Sequence, residues 1–173
     1  SNFNKPLNNW NIDNVVNMRK IFMDASAFDQ SLNTWNVINI KDMNSLFNGA
    51  TIFNHDISGW NVHNVIVMSE MFKDAKNFDK PLNNWDVHNV IYMNGMFNSA
   101  SNFNQDISGW NVHKVWDMNE MFMDASGFNQ PLNNWNINNV INIRNIFMGA
   151  TNFDQSLNGW DVKRIKYMNS LFN

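Results

Sequence analysis

The stretch WNVHNVIVMSEMFKDAKNFDKPLNN, residues 60–84, decides the architecture, because the rest of the chain is that stretch written again. At a spacing of 25, Trp60 recurs as Trp10, Trp35, Trp85, Trp110, Trp135 and Trp160, without an insertion or deletion. All fourteen phenylalanines fall into two columns, one running from Phe3 through Phe78 to Phe153 and the other from Phe22 through Phe97 to Phe172. Strict register of this kind gives every unit the same place relative to its neighbours, the mark of a solenoid rather than a closed globule. The reading is a single repeat domain over residues 1–173, about seven units stacked on one continuous core. The chain opens at a repeat boundary, stops in mid-repeat, and shows no polar cap at either end. Stacked repeats need such caps, so the expectation is a piece of a longer repeat protein.

Within one unit, the pairs between Leu7 and Trp10 and their copies are Asn-Asn, Asn-Thr, Ser-Gly or Asn-Gly, which predicts a bend there. Pro6, Pro81 and Pro131 share one column, so that column donates no sheet hydrogen bond in those units. Trp10, Asn11 and Ile12 alternate apolar and polar and predict a very short strand, pairing in parallel with its copies. Next, Val15, Met18, Ile21, Phe22 and Ala25 fall within about 120° on a helical wheel, predicting two or three turns of helix with Asn14 as its N-cap. The small polar step at Asp24-Ala25, Gly49-Ala50 and Ser99-Ala100 ends that helix. The fold class expected is therefore an α/β solenoid, a leucine-rich-repeat-like right-handed stack with a short parallel strand and a short helix in each repeat. At a strand spacing of about 4.8 Å it is roughly 30 Å long.

A formal net charge of -3, with 16% charged residues, offers no basic stripe for a phosphate backbone, so nucleic acid is not expected as a partner. No apolar run approaches the roughly 20 residues of a membrane span. The lack of cysteine excludes disulfides and thiolate metal sites. Asparagine, about a fifth of the chain, clusters in turn columns and points to structural ladders.

The unit resembles the BspA-like repeat of the DUF285 type, approximately W-D-V-S-N-V-T-D-M-S-x-M-F-x-x-A-x-x-F-N-Q-D-L-S-x. FNQDISGWNVHKVWDMNEMF at 103–122 is close to that pattern, and the likeness covers the whole chain. The resemblance implies a non-enzymatic surface or structural role, such as adhesion or assembly, at a bacterial cell surface or, alternatively, in the virion of a large DNA virus. One departure stands out. The family's polar Thr column reads Val16, Lys41, Ile66, Ile91, Trp116, Ile141 and Lys166 here.

Catalysis is not expected. Asp24, Asp74 and Asp124 sit two repeats apart, separated by Gly49 and Ser99, about 10 Å if the repeats stack like strands. That is too wide for a retaining carboxylate pair, although distance alone leaves an inverting pair open. The histidine column His63, His88 and His113 could form a metal or pH ladder. Asp13, Ile38, Asn138 and Lys163 hold the same position elsewhere, so it reads as a solvated loop, with no metal and no cofactor expected. The Asn11 and Asn14 columns could suit a repeating sugar, but read better as caps and backbone partners. A carbohydrate-binding or carbohydrate-processing solenoid is thus the alternative to a protein-contact module.

The functional expectation rests on an outward column. On the helical wheel residue 16 lies about 160° from the apolar centre, which makes Ile66, Ile91, Trp116 and Ile141 an outer stripe, joined by Met123 and Met148. Contiguous exposed apolar surface marks a protein contact, with Trp116 as anchor. A protein partner or self-association is expected, and no small-molecule substrate.

Overall fold

The computed structural model describes residues 1–172. The chain winds through 25-residue coils, each in register with the next, and the expected helix is absent: no α-helix occurs among the described residues. The α/β, leucine-rich-repeat-like assignment is therefore wrong. Strand structure is reduced to single-residue parallel bridges, Asn17 to Asp42, Asp42 to Val67, Val67 to Tyr92, and on to Tyr167. These bridges lie inside the segment assigned to the helix, and the Trp-Asn-Ile segment assigned to the strand carries none.

The backbone sign explains the correction. Lys20, Ser45, Glu70, Gly95, Glu120, Asn145 and Ser170, all in one column, have φ between 53° and 61°. The column of Asp24, Gly49, Asp74, Ser99, Asp124 and Gly149 is also left-handed, with φ from 55° to 73°. Two left-handed residues so close together cannot belong to a right-handed helix. Instead the N–H groups divide their work by parity. Those of Met18, Lys20, Phe22 and Asp24 donate to Asp42 O, Asn44 O, Leu46 O and Asn48 O of the next coil at 2.7–3.0 Å. Those of Ile21, Met23 and Ala25 close turns on Met18 O, Lys20 O and Phe22 O at 3.1–3.5 Å. A positive φ at the third residue of a turn is what type II geometry demands. Turns that each take three or four residues send one side chain inward apiece, so Met18, Phe22, Ala25 and Phe28 are buried at spacings a helix would also give.

The other corners follow the sequence more closely. Trp10 N–H closes a turn on Leu7 O at 3.0 Å, and the same turn recurs up to Trp160. Ser31, Asp56, Asp106 and Ser156, which share a column with the prolines, donate no backbone hydrogen bond, so proline loses nothing there. The Trp-Asn-Ile segment is held by side chains. Trp35 Nε1 donates to Leu7 O at 3.2 Å, and Trp60, Trp85, Trp110, Trp135 and Trp160 repeat the bond 28 residues back, at 2.8–3.2 Å. Each of these indoles thereby satisfies its one polar atom while joining two coils.

The core is a set of aromatic stacks. Rings of the Phe22 column follow one another at 5.5–5.7 Å, and those of the Phe28 column at 6.0–6.2 Å. The two columns meet face to face within each coil, as in Phe97 and Phe103 at 4.0 Å and 8°. Stacked rings contribute about 0.5–1.5 kcal/mol per pair beyond the area they bury. The same ring contacts recur from coil to coil.

Candidate functional site

The bridge ladder positions the outward column. Ile91 N–H donates to Ile66 O at 2.9 Å, Trp116 N–H to Ile91 O at 2.9 Å, and Ile141 N–H to Trp116 O at 3.0 Å, so these residues lie side by side on successive coils. Trp116 is 46% exposed and Ile66 36%, while Ile91 and Ile141 are half-buried. Val65, Val90, Val115 and Val140, one residue earlier, point inward and are fully buried. The outward aim thus comes from an extended backbone, not from a helical wheel.

Met123 and Met148 do not share that geometry. Their N–H groups donate to Glu120 O and Asn145 O, both at 3.2 Å, inside the run of turns, and both side chains are half-buried. Without a helix, the wheel that set Met123 and Met148 beside the outer column is gone, and the column joined by backbone hydrogen bonds is that of Ile66, Ile91, Trp116 and Ile141. The ladder instead adds Tyr92, which the outward reading missed. Tyr92 is 37% exposed and meets Trp116 edge-on, centroids 6.4 Å apart and planes at 82°. The signal was available in sequence as a bridge column of mixed character, Val67, Tyr92 and Asp117.

The asparagine columns are structural. Asn11 and its copies fold back on the N–H two residues on, as Asp13 N–H to Asn11 Oδ1 at 2.9 Å. Asn39, Asn64, Asn89 and Asn139 donate to carbonyls 26 residues earlier, Asp13 O, Ile38 O, His63 O and His113 O, at 2.7–2.9 Å. With no helix to cap, Asn14's column links coils instead. Where Lys114 and Arg164 replace asparagine, each reaches Oδ1 of the preceding asparagine, Asn89 at 2.7 Å and Asn139 at 2.8 Å.

The histidine column does bring chemistry together, through a residue the sequence reading passed over. Asp86 Oδ2 lies 2.9 Å from His63 Nδ1, and its Oδ1 lies 2.7 Å from His88 Nδ1. The two imidazole centroids are 4.6 Å apart. The His63 hydrogen bond, aided by His88 and opposed by partial desolvation, brings the Asp86 carboxyl down to about 2. His113 bonds Asn111 Oδ1 at 2.8 Å, an uncharged version of the same contact. His55 stands apart, its Nε2 3.0 Å from Asp29 Oδ1 but outside hydrogen-bond alignment. The recess formed by Ile146, Phe147, Leu157, Trp160, Met168 and Leu171 is the side of the last coil's core columns and has no titratable group in its lining.

The family model described as "Mycoplasma protein of unknown function, DUF285" matches residues 1–98 and again residues 68–173, so the two matches together cover every coil. The chain belongs to the DUF285 family. No curated protein and no solved structure matches it. Within this DUF285 chain the repeat columns build the stack, and the outward ladder column varies in character, from Lys41 and Lys166 to Ile91 and Trp116. No helix among the described residues is long and apolar enough to cross a membrane.

Proposed function

We propose that this DUF285 protein is a non-enzymatic repeat module that contacts another protein, or a second copy of itself, through the outer face of its bridge ladder. The observation that carries the reading is Trp116, 46% exposed against Tyr92 at 37%, on a backbone held from both sides by coil-to-coil hydrogen bonds. A large aromatic on a rigid support loses little conformational freedom on binding, which makes it a natural anchor. Ile66, Ile91 and Ile141 extend the patch along the stack.

The sugar-binding alternative is less well supported by the same residues. A sugar ring stacks on a flat platform, whereas Trp116 and Tyr92 stand at 82° and form a corner. The amides that might have read a saccharide are engaged with the protein's own backbone. The proposed location is a cell surface or the extracellular space, with a viral particle as the alternative, and protease treatment of intact cells or virions distinguishes an exposed chain from an enclosed one.

The test is the double variant Trp116→Ser, Ile91→Ser, compared with wild type by sedimentation velocity and by cross-linking in the native assembly. Loss of association, with an unchanged melting midpoint, is the expected result. A folded double variant that associates like wild type rejects the proposal.

A further inference from the structure

His63, Asp86 and His88 come from two adjacent coils, and one ligand atom from each lies within 4.8 Å of the other two. Their backbones are fixed by the repeat. His63 N–H donates to Asn61 Oδ1 at 3.2 Å, His88 N–H to Asp86 Oδ1 at 3.3 Å, and Asn89 Nδ2 clips His63 O at 2.8 Å. The side chains keep freedom to adjust, being 49%, 53% and 28% exposed for His63, Asp86 and His88. Two imidazoles and one carboxylate meet nowhere else among the described residues in this way.

From this arrangement we propose that His63, Asp86 and His88 form a binding site for a divalent transition-metal ion, zinc in the first instance, which clips the two adjacent histidine corners together. The donor set decides the class of ion. Imidazole nitrogen with one carboxylate suits zinc, nickel, cobalt or copper, whereas calcium and magnesium want oxygen alone. Metal–ligand bonds of about 2.0–2.2 Å in a tetrahedral site put ligand atoms roughly 3.3 Å apart. The 2.7 and 2.9 Å nitrogen–oxygen contacts must open by about half an ångström to reach that spacing, and the remaining pair of ligand atoms, within 4.8 Å, must close to it, changes that rotation of the exposed His63 and Asp86 and the half-buried His88 side chains would supply. On binding, the two Nδ1–H···O hydrogen bonds give way to Nδ1–metal and metal–O bonds. The ring proton of each neutral imidazole moves to Nε2, so the charge of each ring is unchanged, and water completes the coordination. This reverses the expectation of a merely solvated histidine column, and the reason is Asp86, the one carboxylate set between two of those histidines.

His113 supplies an internal control, since its partner Asn111 is neutral and binds metal poorly. The experiment is calorimetric titration of the folded chain with zinc chloride at neutral pH in a non-chelating buffer, alongside its melting midpoint with and without zinc. One saturable site per chain is expected, with a rise in midpoint because the ion binds the folded form. His88→Ala and Asp86→Asn should each weaken binding by at least about tenfold, the scale set by losing even supporting groups around a metal. His113→Ala should leave it unchanged, and calcium should not bind. Absence of saturable zinc binding overturns the proposal, as does binding that survives His88→Ala or falls equally with His113→Ala. Cooperative melting of the metal-free variants, with at most the small loss expected from removing the Asp86 carboxylate, separates lost ligation from lost folding.

Discussion

Asp86 shows how one side chain acquires its properties from a neighbour 23 residues away. Hydrogen bonding to His63, and secondarily to His88, holds its carboxyl down to about 2, against the ordinary 3.8. A depressed folded-state value means that the contribution to stability is complete above about pH 4 and is lost as the pH falls towards 2. The urea midpoint of wild type should therefore exceed that of Asp86→Asn at about pH 5, and the difference should shrink steadily between about pH 4 and 2. The side chain is 53% exposed, so solvent screening keeps the effect small. A difference that grows as the pH falls would contradict the assigned hydrogen bonds.

At the scale of the element, the run from Met18 to Ala25 separates helix from turns by the sign of one mutation. Gly95 has φ of 61°, and a Cβ there would meet Glu70 Cγ at 3.3 Å. In a helix interior, Gly95→Ala would stabilise by about 1 kcal/mol. In the left-handed turn it should destabilise by about 1–2 kcal/mol, since an L side chain is disfavoured there. Chemical denaturation of this single variant decides the sign. The same column tolerates Glu70 partly because its Oε2 accepts Ser45 Oγ at 3.0 Å and Asn48 Nδ2 at 3.3 Å from the preceding coil. Coil-to-coil bonds thus help a backbone conformation that a lone glutamate would avoid.

Over the whole molecule, stability depends on how many neighbouring coils a side chain touches. Phe97 is fully buried and stacks on Phe72, Phe103 and Phe122 at 4.0–5.7 Å. Phe97→Ala should cost about 3–5 kcal/mol, the range for emptying a large buried aromatic. Phe172 is 62% exposed and stacks on Phe147 at 5.7 Å, so Phe172→Ala should cost far less. Equal losses in the two denaturation curves would mean that the aromatic stacks do not carry the fold. Repeated nearest-neighbour contacts also explain why the protein needs no long element of secondary structure.

The period, the register and the inward columns were legible in the amino-acid sequence. An unbroken spacing of 25 requires like residues to lie over one another, and apolar columns such as Phe22, Phe28 and Trp35 have nowhere else to go. The path of the backbone within a coil was not legible. Turns closed between residues three apart and a helix both bury side chains at spacings of three and four, so periodicity alone cannot separate them. Lys20, Glu70 and Glu120 are good helix formers that hide a left-handed column. Gly95 and Asn145 in that column were the available warning. The same limit governs the site. Repetition says that His63 lies beneath His88, but whether His63 also reaches Asp86, in a different column, depends on how far each corner leans over the next coil. That lean is set by the turns and the hydrogen bonds between coils, and so only the tertiary structure decided it.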